Sequence, residues 1–177
     1  MIRLFVGLGL DQNITNSLSL LAGGIPGARW VGPESFHITL LFIGEVPENR
    51  AVEVNDGLSE IIHPAFSISI DGLGTFGHAK PHTLWAGVTL TPELDHLHRK
   101  VVHAIDELDL DIDHRKFIPH ITLARLSDAP GRHLETFITE NSPFHGGTQM
   151  IRSVSLIQSI LSSEGSTYLK LMDYPLG

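Results

Sequence analysis

The 177-residue sequence predicts a single bilobed α+β domain, residues 1–177, in which two related halves surround a central cleft. Short apolar runs alternate with stretches of helical periodicity, which is typical of a mixed fold. The tetrapeptide His-Ile-Thr-Leu occurs twice, at residues 37–40 and 120–123. No linker rich in Pro, Gly and Ser separates two independent domains. The length suits one compact domain, or two small lobes that share a core.

Strands are predicted where short apolar or alternating runs occur between turn residues. The predicted strands are residues 2–9, 36–43, 66–72, 83–90, 117–126, 149–159 and 167–174. The predicted helices are residues 11–21, 48–62, 92–108 and 132–140. Asp11 is a predicted N-cap of the first helix. The third helix is the clearest, because Thr91 can cap it, Pro92 suits its first position and its apolar residues keep the helical period.

The two identical tetrapeptides end two similar strand–helix–strand units. Residues 5–10 begin the first unit, and residues 85–90 begin the second. Such a duplication can place its copies around a pseudo-twofold axis. Equivalent residues of the two units would then face each other across the cleft.

Composition excludes several classes of site and partner. The chain has no cysteine, which excludes disulfides, Cys-ligated zinc, iron–sulfur clusters and a thiol nucleophile. The formal net charge is −8, whereas proteins that coat long nucleic acid are usually basic. An RNA substrate would therefore be recognised at a small feature such as an end. The apolar start predicts a buried strand rather than a signal peptide, and no apolar run approaches a membrane span, so we expect a cytoplasmic protein.

Both H-x-T motifs carry acid–base chemistry. Residues i and i+2 of a strand share a face, so His37 points with Thr39, and His120 points with Thr122. An imidazole has a pKa near 6.5, so one histidine can take a proton from water while the other protonates a leaving oxygen. The two hydroxyls can donate to the non-bridging oxygens of a phosphate. One such motif alone carries little information, but two at corresponding places of a repeat predict a phosphodiester site.

The sequence around these motifs resembles the 2H phosphoesterase superfamily, specifically the RNA 2′,3′-cyclic phosphodiesterases once described as 2′-5′ RNA ligases. The resemblance rests on both H-x-T motifs and on residues 3–6, 28–31, 36–46, 71–76, 84–88 and 117–125. It implies two antiparallel sheets flanking the cleft, with helices on their outer faces. It also implies hydrolysis of 2′,3′-cyclic phosphate at RNA ends or nucleotides to a 2′-phosphate. His37 matches the acid and His120 the base.

Three features leave alternatives open. Strict alternation turns Arg125 away from His120, although a bulge could turn it back; the resemblance favours a phosphate contact over a surface ion pair. The aromatic residues Phe42, Phe76 and Trp85 are predicted either to stack on a base or to belong to the core. Gln158 stands where the family often has arginine, which leaves open whether its strand contacts the substrate end.

Other motifs are interpreted as structural. Residues 72–77 match G-x-G-x-x-G, but no helix follows them, so a loop is predicted. His96, His98 and His103 lack the i, i+4 spacing of a helical zinc site, and His82 is expected on a solvated loop. We therefore expect neither a metal nor a cofactor, and a monomer. The rival hypotheses are 2′-5′ RNA ligation, 2′-5′ oligonucleotide cleavage, or a non-catalytic module that binds RNA ends.

Overall fold

Nine strands and four α-helices lie within residues 1–129 and 131–177, which are the residues described by the computed structural model. The strands are β1 (Ile2–Leu8), β2 (Ala28–Trp30), β3 (Ile38–Val46), β4 (Phe66–Phe76), β5 (Thr83–Val88), β6 (His120–Leu126), β7 (His145–Ile151), β8 (Ser153–Ser162) and β9 (Gly165–Pro175). The helices are α1 (Gln12–Ser19), α2 (Ala51–Ser59), α3 (Pro92–Asp106) and α4 (Gly131–Glu140).

The strands form two antiparallel sheets. The first sheet has the order β3-β1-β8-β9, and the second has the order β2-β6-β5-β4-β7. The predicted α+β architecture, with two antiparallel sheets and helices on their outer faces, is confirmed. Buried apolar side chains of both sheets join one continuous core. In the described part of the chain, no helix has both the length and the apolar character needed to cross a membrane.

Helix α3 shows how the local sequence specifies an element. Thr91 caps the helix, because its hydroxyl accepts a hydrogen bond from the backbone N–H of Leu94 at 3.2 Å. Four apolar side chains of this helix are completely buried: Leu94, Leu97, Val101 and Ile105. Burial of each such side chain stabilises the fold by about 1.5–3 kcal/mol. The periodicity therefore predicts both the helix and its buried face.

The structure corrects several predicted boundaries. Residues 149–159 form parts of two strands, since the chain leaves the second sheet after β7 and enters the first sheet as β8. The apolar residues on both sides of Arg152 hide this crossing in the sequence. Strand β2 was not predicted, because three residues are too few to show a period. Asp11 does occupy the N-cap of α1, but its side chain makes no capping hydrogen bond.

The two strand–helix–strand units share their topology but not their register. The strands of each unit pair antiparallel, β1 with β3 and β5 with β6. Gly7 lies opposite Thr39, whereas Trp85 lies opposite Thr122. The sequence repeat matches Gly7 to Gly87, so the structural correspondence differs from it by two residues. A shift of two residues preserves which side chains face the cleft, because strand side chains alternate with a period of two.

The two lobes are interlocked by contacts between elements that belong to different sheets. Helix α1 follows a strand of the first sheet but packs against β7 of the second sheet. Helix α3 follows a strand of the second sheet but packs against β3 of the first. The buried side chain of Gln149 in β7 adds a direct link. Its Nε2 donates to the carbonyl oxygen of Gly9 at 3.1 Å, and its Oε1 accepts from the backbone N–H of Asp11 at 2.8 Å.

Candidate active site

The structure places the predicted site residues together. His37, Thr39, His120, Thr122 and Arg125 all line one open cleft of about 1150 Å³ between the two sheets. His37 directly precedes β3, and His120 is the first residue of β6. Each sheet therefore contributes one histidine and one threonine to the same cleft.

Both imidazoles are held by a backbone carbonyl. His37 Nδ1 lies 2.8 Å from the carbonyl oxygen of Ser35, and His120 Nδ1 lies 2.7 Å from that of Ile118. A carbonyl oxygen can only accept, so Nδ1 carries the proton in each ring and Nε2 remains available for proton transfer. His37 Nε2 also lies 3.1 Å from Thr39 Oγ1. The neutral ring therefore accepts a hydrogen bond from that hydroxyl.

The electrostatic environment disfavours the charged form of both rings. Burial lowers the pKa of His37 below its usual value, the Ser35 carbonyl opposes this shift, and the charges of His120 and Arg125 add to it. Burial likewise lowers the pKa of His120 against the Ile118 carbonyl, with Arg125 adding to the shift. Both pKa shifts therefore favour the neutral imidazole in the unliganded protein.

Aromatic side chains fix the orientation of each imidazole. The His37 ring lies 4.8 Å from the Phe5 ring and 4.9 Å from the Tyr168 ring, measured between centroids. The His120 ring makes an edge contact with Phe76 at 4.7 Å. Phe5 and Tyr168 were not predicted as site residues. Tyr168 lies in β9, far along the chain from His37, and no local pattern connects the two.

A β-bulge turns Arg125 into the cleft. Thr122 pairs with Trp85 and Ala124 pairs with Leu84, so Leu123 is an extra residue in β6. Two consecutive residues, Leu123 and Ala124, are consequently buried, and Arg125 returns to the side of His120. The Arg125 Nη1 donates to Thr83 Oγ1 at 3.0 Å. Arg125 forms no ion pair within the described residues, which argues against the surface ion-pair alternative.

The first sheet has the same bulge, with an aromatic residue in place of the arginine. Thr39 pairs with Gly7 and Leu41 pairs with Val6, so Leu40 is the extra residue of β3. Phe42 therefore occupies the position in β3 that Arg125 occupies in β6. Its side chain lines the cleft and is 44% exposed.

The other residues for which alternatives were open lie in different environments. Phe76 lines the cleft beside His120. Trp85 packs across Gly74, where a Cβ would collide with the indole ring, and it is not among the described residues that line the cleft. Gln158 pairs with the buried Leu4, on the sheet face turned away from the cleft. The position at which the family often has arginine therefore does not face the cleft here.

Histidines and glycines that were interpreted as structural are also accounted for. The G-x-G-x-x-G segment continues β4 as far as Phe76, so the predicted loop is wrong, and no helix follows it. His82 is exposed as predicted but borders the cleft, where its Nδ1 lies 2.9 Å from Thr83 Oγ1. Within residues 1–129 and 131–177, no group of three or more His, Asp or Glu side chains is arranged like metal ligands.

The cleft is locally more basic than the protein as a whole. Its lining contains five Lys or Arg side chains but three Asp or Glu side chains, against a formal net charge of −8 for the chain. The basic residues are Arg3, Arg29, Arg115, Lys116 and Arg125. This local excess of positive charge suits a small anionic ligand, since the potential is focused inside a concave surface.

Comparisons with known proteins show the family. The sequence model described as "2'-5' RNA ligase superfamily" matches residues 28–148. The chain belongs to this superfamily. A protein named RNA 2',3'-cyclic phosphodiesterase from Archaeoglobus fulgidus is 32% identical to this superfamily member over 173 residues, which are 96% of this chain and 97% of that protein. A protein of the same name from Aeropyrum pernix is 34% identical over 160 residues, or 88% of this chain and 89% of that protein.

Solved structures show the same fold as this superfamily member. A Thermus thermophilus protein superposes with a TM-score of 0.82 and 23% identity, covering 98% of this chain and 97% of that one. The Escherichia coli LigT protein, crystallised with 3'-AMP, superposes with a TM-score of 0.80 and 22% identity, covering 99% and 98%. The superfamily match begins after Arg3 and Phe5 and ends before Tyr168, so part of the cleft lies outside it.

Proposed function

We propose that this 2H phosphoesterase hydrolyses 2′,3′-cyclic phosphodiester ends of RNA or nucleotides to 2′-phosphomonoesters, by acid–base catalysis with two histidines and no metal. The observation that carries the proposal is the meeting of two His–Thr pairs and Arg125 in one cleft. The names of the Archaeoglobus and Aeropyrum relatives support the substrate class.

The reaction needs a base and an acid on opposite sides of one phosphorus. His120 Nε2 takes a proton from a water molecule while the water oxygen forms a bond to phosphorus. The bond between phosphorus and O3′ breaks, and His37 Nε2 gives its proton to O3′. The product carries a 2′-phosphate and a free 3′-hydroxyl. The protons then redistribute through solvent and restore one neutral and one protonated imidazole.

The remaining cleft residues stabilise the charge that builds up on the non-bridging oxygens. Arg125 supplies a permanent positive charge, and Thr122 supplies a hydroxyl donor. Thr39 changes its role with the state of His37. When His37 Nε2 carries a proton it can donate to Thr39 Oγ1, and the hydroxyl hydrogen of Thr39 is then free for a phosphate oxygen. Protonation of His37 therefore also frees the Thr39 hydroxyl to donate to a phosphate oxygen.

The same geometry also suits 2′-5′ ligation, which the superfamily description names. An RNA 5′-hydroxyl would replace water as the nucleophile, and O3′ would leave as before. A binding module would use the same cleft without turnover, but binding alone requires no pair of proton-transfer groups. Product analysis separates the three possibilities.

The direct test is incubation with a 2′,3′-cyclic mononucleotide in excess EDTA. We expect full turnover to a nucleoside 2′-phosphate, because the His–Thr set and Arg125 already provide acid, base and charge stabilisation. The product is identified by chromatography against 2′- and 3′-phosphate standards. Loss of turnover in EDTA that one divalent ion restores would contradict the metal-free mechanism, and a 3′-phosphate product would contradict the assignment of the leaving oxygen.

The pH dependence follows from the lowered pKa values. The active free enzyme has one protonated and one neutral imidazole, so kcat/KM should be bell-shaped in pH. Because burial lowers both pKa values below 6.5, the maximum of kcat/KM is expected below pH 6.5. A bound phosphate favours the charged imidazole, so the maximum of kcat should lie at higher pH than that of kcat/KM. A kcat/KM maximum above pH 7.5 would contradict the burial argument.

A further inference from the structure

A row of side chains extends from His37 along the face of the first sheet that borders the cleft. The Phe5 ring, which contacts His37, stacks parallel to the Phe42 ring at 6.3 Å with an interplanar angle of 8°. The Arg3 guanidinium carbon lies 5.9 Å from the centroid of Phe42. Arg3, Phe5 and Phe42 all border the cleft. The row thus runs from an imidazole through two aromatic rings to a cation.

The end of the Arg3 side chain is accessible to a ligand in the cleft. Its Nε is buried and has no hydrogen-bond partner among the described residues, but the side chain as a whole is 34% exposed, so a ligand would contact the terminal Nη groups. Its ion pair with Glu45 spans 3.8 Å, and the Glu45 side chain is 60% exposed. The planar fork of a guanidinium matches phosphate oxygens, so an anion near Phe42 would find the Nη donors available.

Arg3 lies too far along the sheet to contact the reacting phosphorus. Strands rise about 3.4 Å per residue, so Arg3 is about 14 Å along β1 from Gly7, which pairs with Thr39. The Arg3 side chain extends toward Phe42, so its charge lies nearer to the reacting phosphorus than its backbone does. This position suits the phosphate next to the reacting one in a bound strand.

We propose that Arg3 and Phe42 form a chain-recognition subsite, in which Arg3 binds the phosphodiester on the 5′ side of the terminal nucleotide and Phe42 stacks on the adjacent base. Phe42 is 44% exposed, so a base can pack against the part of its ring that Phe5 and Arg3 leave uncovered, whereas Phe5 is 2% exposed and cannot contact a base. Stacking of bases on aromatic rings is independent of sequence. A cyclic mononucleotide has no such phosphodiester. The subsite rests on the proposed function and makes an oligoribonucleotide end the preferred substrate.

A purely structural role for Arg3 makes different predictions. Arg3 and Glu45 are directly opposite in the pairing of β1 with β3, so their ion pair could simply hold the two strands together. In that case Glu45→Gln would have the same effect as Arg3→Gln. If Arg3 binds phosphate, Glu45→Gln removes a competing carboxylate, and affinity for the longer ligand is unchanged or increases.

The experiment measures dissociation constants for 2′-AMP and for the dinucleotide ApA carrying a terminal 2′-phosphate, together with kcat/KM for the two corresponding 2′,3′-cyclic substrates. We expect Arg3→Gln to weaken dinucleotide binding by about 10-fold, as for loss of one charge-assisted contact, and to change 2′-AMP binding by less than about 2-fold. Phe42→Leu should also weaken dinucleotide binding by about 10-fold through lost stacking. For the wild type, the logarithm of the dinucleotide preference should fall with log salt at a slope of about −0.7, as for one phosphate contact.

Arg99→Gln is the matched control. Arg99 also forms an ion pair, with Asp95 on α3, and lies outside the cleft lining, so neither ligand should be affected. Equal losses for both ligands in Arg3→Gln, or the same loss in Glu45→Gln, would overturn the subsite. If the wild type turned over neither cyclic substrate while the binding difference persisted, the proposed function would fail and the subsite would stand. If the wild type turned over both cyclic substrates without any preference for the dinucleotide, the subsite would fail and the proposed function would stand.

Discussion

Replacing either His37 or His120 with alanine is expected to lower kcat by roughly 10²–10⁴-fold, the usual contribution of general acid–base catalysis. His37→Ala removes the proton that O3′ needs, and His120→Ala removes the acceptor for the proton of water. Each variant should also lose one limb of the bell-shaped pH profile. The measurement is kcat against pH on a 2′,3′-cyclic nucleotide for the wild type and both variants.

Two controls make this result interpretable. The double variant should lose much less than the product of the single losses, because the two histidines act as one unit. His103→Ala should leave kcat unchanged, since His103 is exposed on α3 and pairs with Glu107 away from the cleft. A His37 or His120 variant with near wild-type kcat and an unaltered pH profile would show that the assigned role is wrong.

Arg125→Gln is expected to lower kcat/KM by about 10–100-fold, because a hydrogen bond to a charged group contributes about 1.5–3 kcal/mol. A second effect follows from electrostatics. Arg125 lowers the pKa of both His37 and His120, so both pKa values should rise in the variant. The kcat/KM profile should therefore shift to higher pH, and its maximum should also be lower than that of the wild type.

The neighbour of Arg125 offers a matched variant. Thr83→Val removes the hydroxyl that accepts from Arg125 Nη1 but retains the charge. Its loss in kcat/KM should be smaller, and the pH profile should stay close to that of the wild type. An Arg125→Gln variant with lower activity but an unshifted profile would indicate that Arg125 acts at a distance from the two imidazoles.

The placement of the two His–Thr pairs could be predicted because it depends on a local rule. Alternation along a strand is a property of consecutive residues, and the identical tetrapeptides repeat it in both sheets. The direction of Arg125 could not be predicted, since the bulge at Leu123 arises from the pairing of β6 with β5. Alternation by itself gives the wrong side for this residue.

Long-range packing explains the other differences. The break between β7 and β8 at Arg152 is a change of sheet, and the residues on both sides suit a strand equally well. Tyr168 reaches His37 because β9 pairs with β8, which in turn pairs with β1. Such contacts depend on the order of strands in a sheet. The sequence pattern of an individual strand does not contain that order.

The interlocking of the two lobes has a consequence for solvent. Helix α1, helix α3 and the Gln149 hydrogen bonds fasten the lobes to each other, so hinge closure over a bound ligand would have to disturb these contacts. A cleft that stays open around its ligand leaves the reacting phosphorus accessible to water. For a hydrolase this is useful, because water is the second substrate. A ligase would have to protect the same phosphorus from water, so an open cleft suits the proposed hydrolysis better than strand joining.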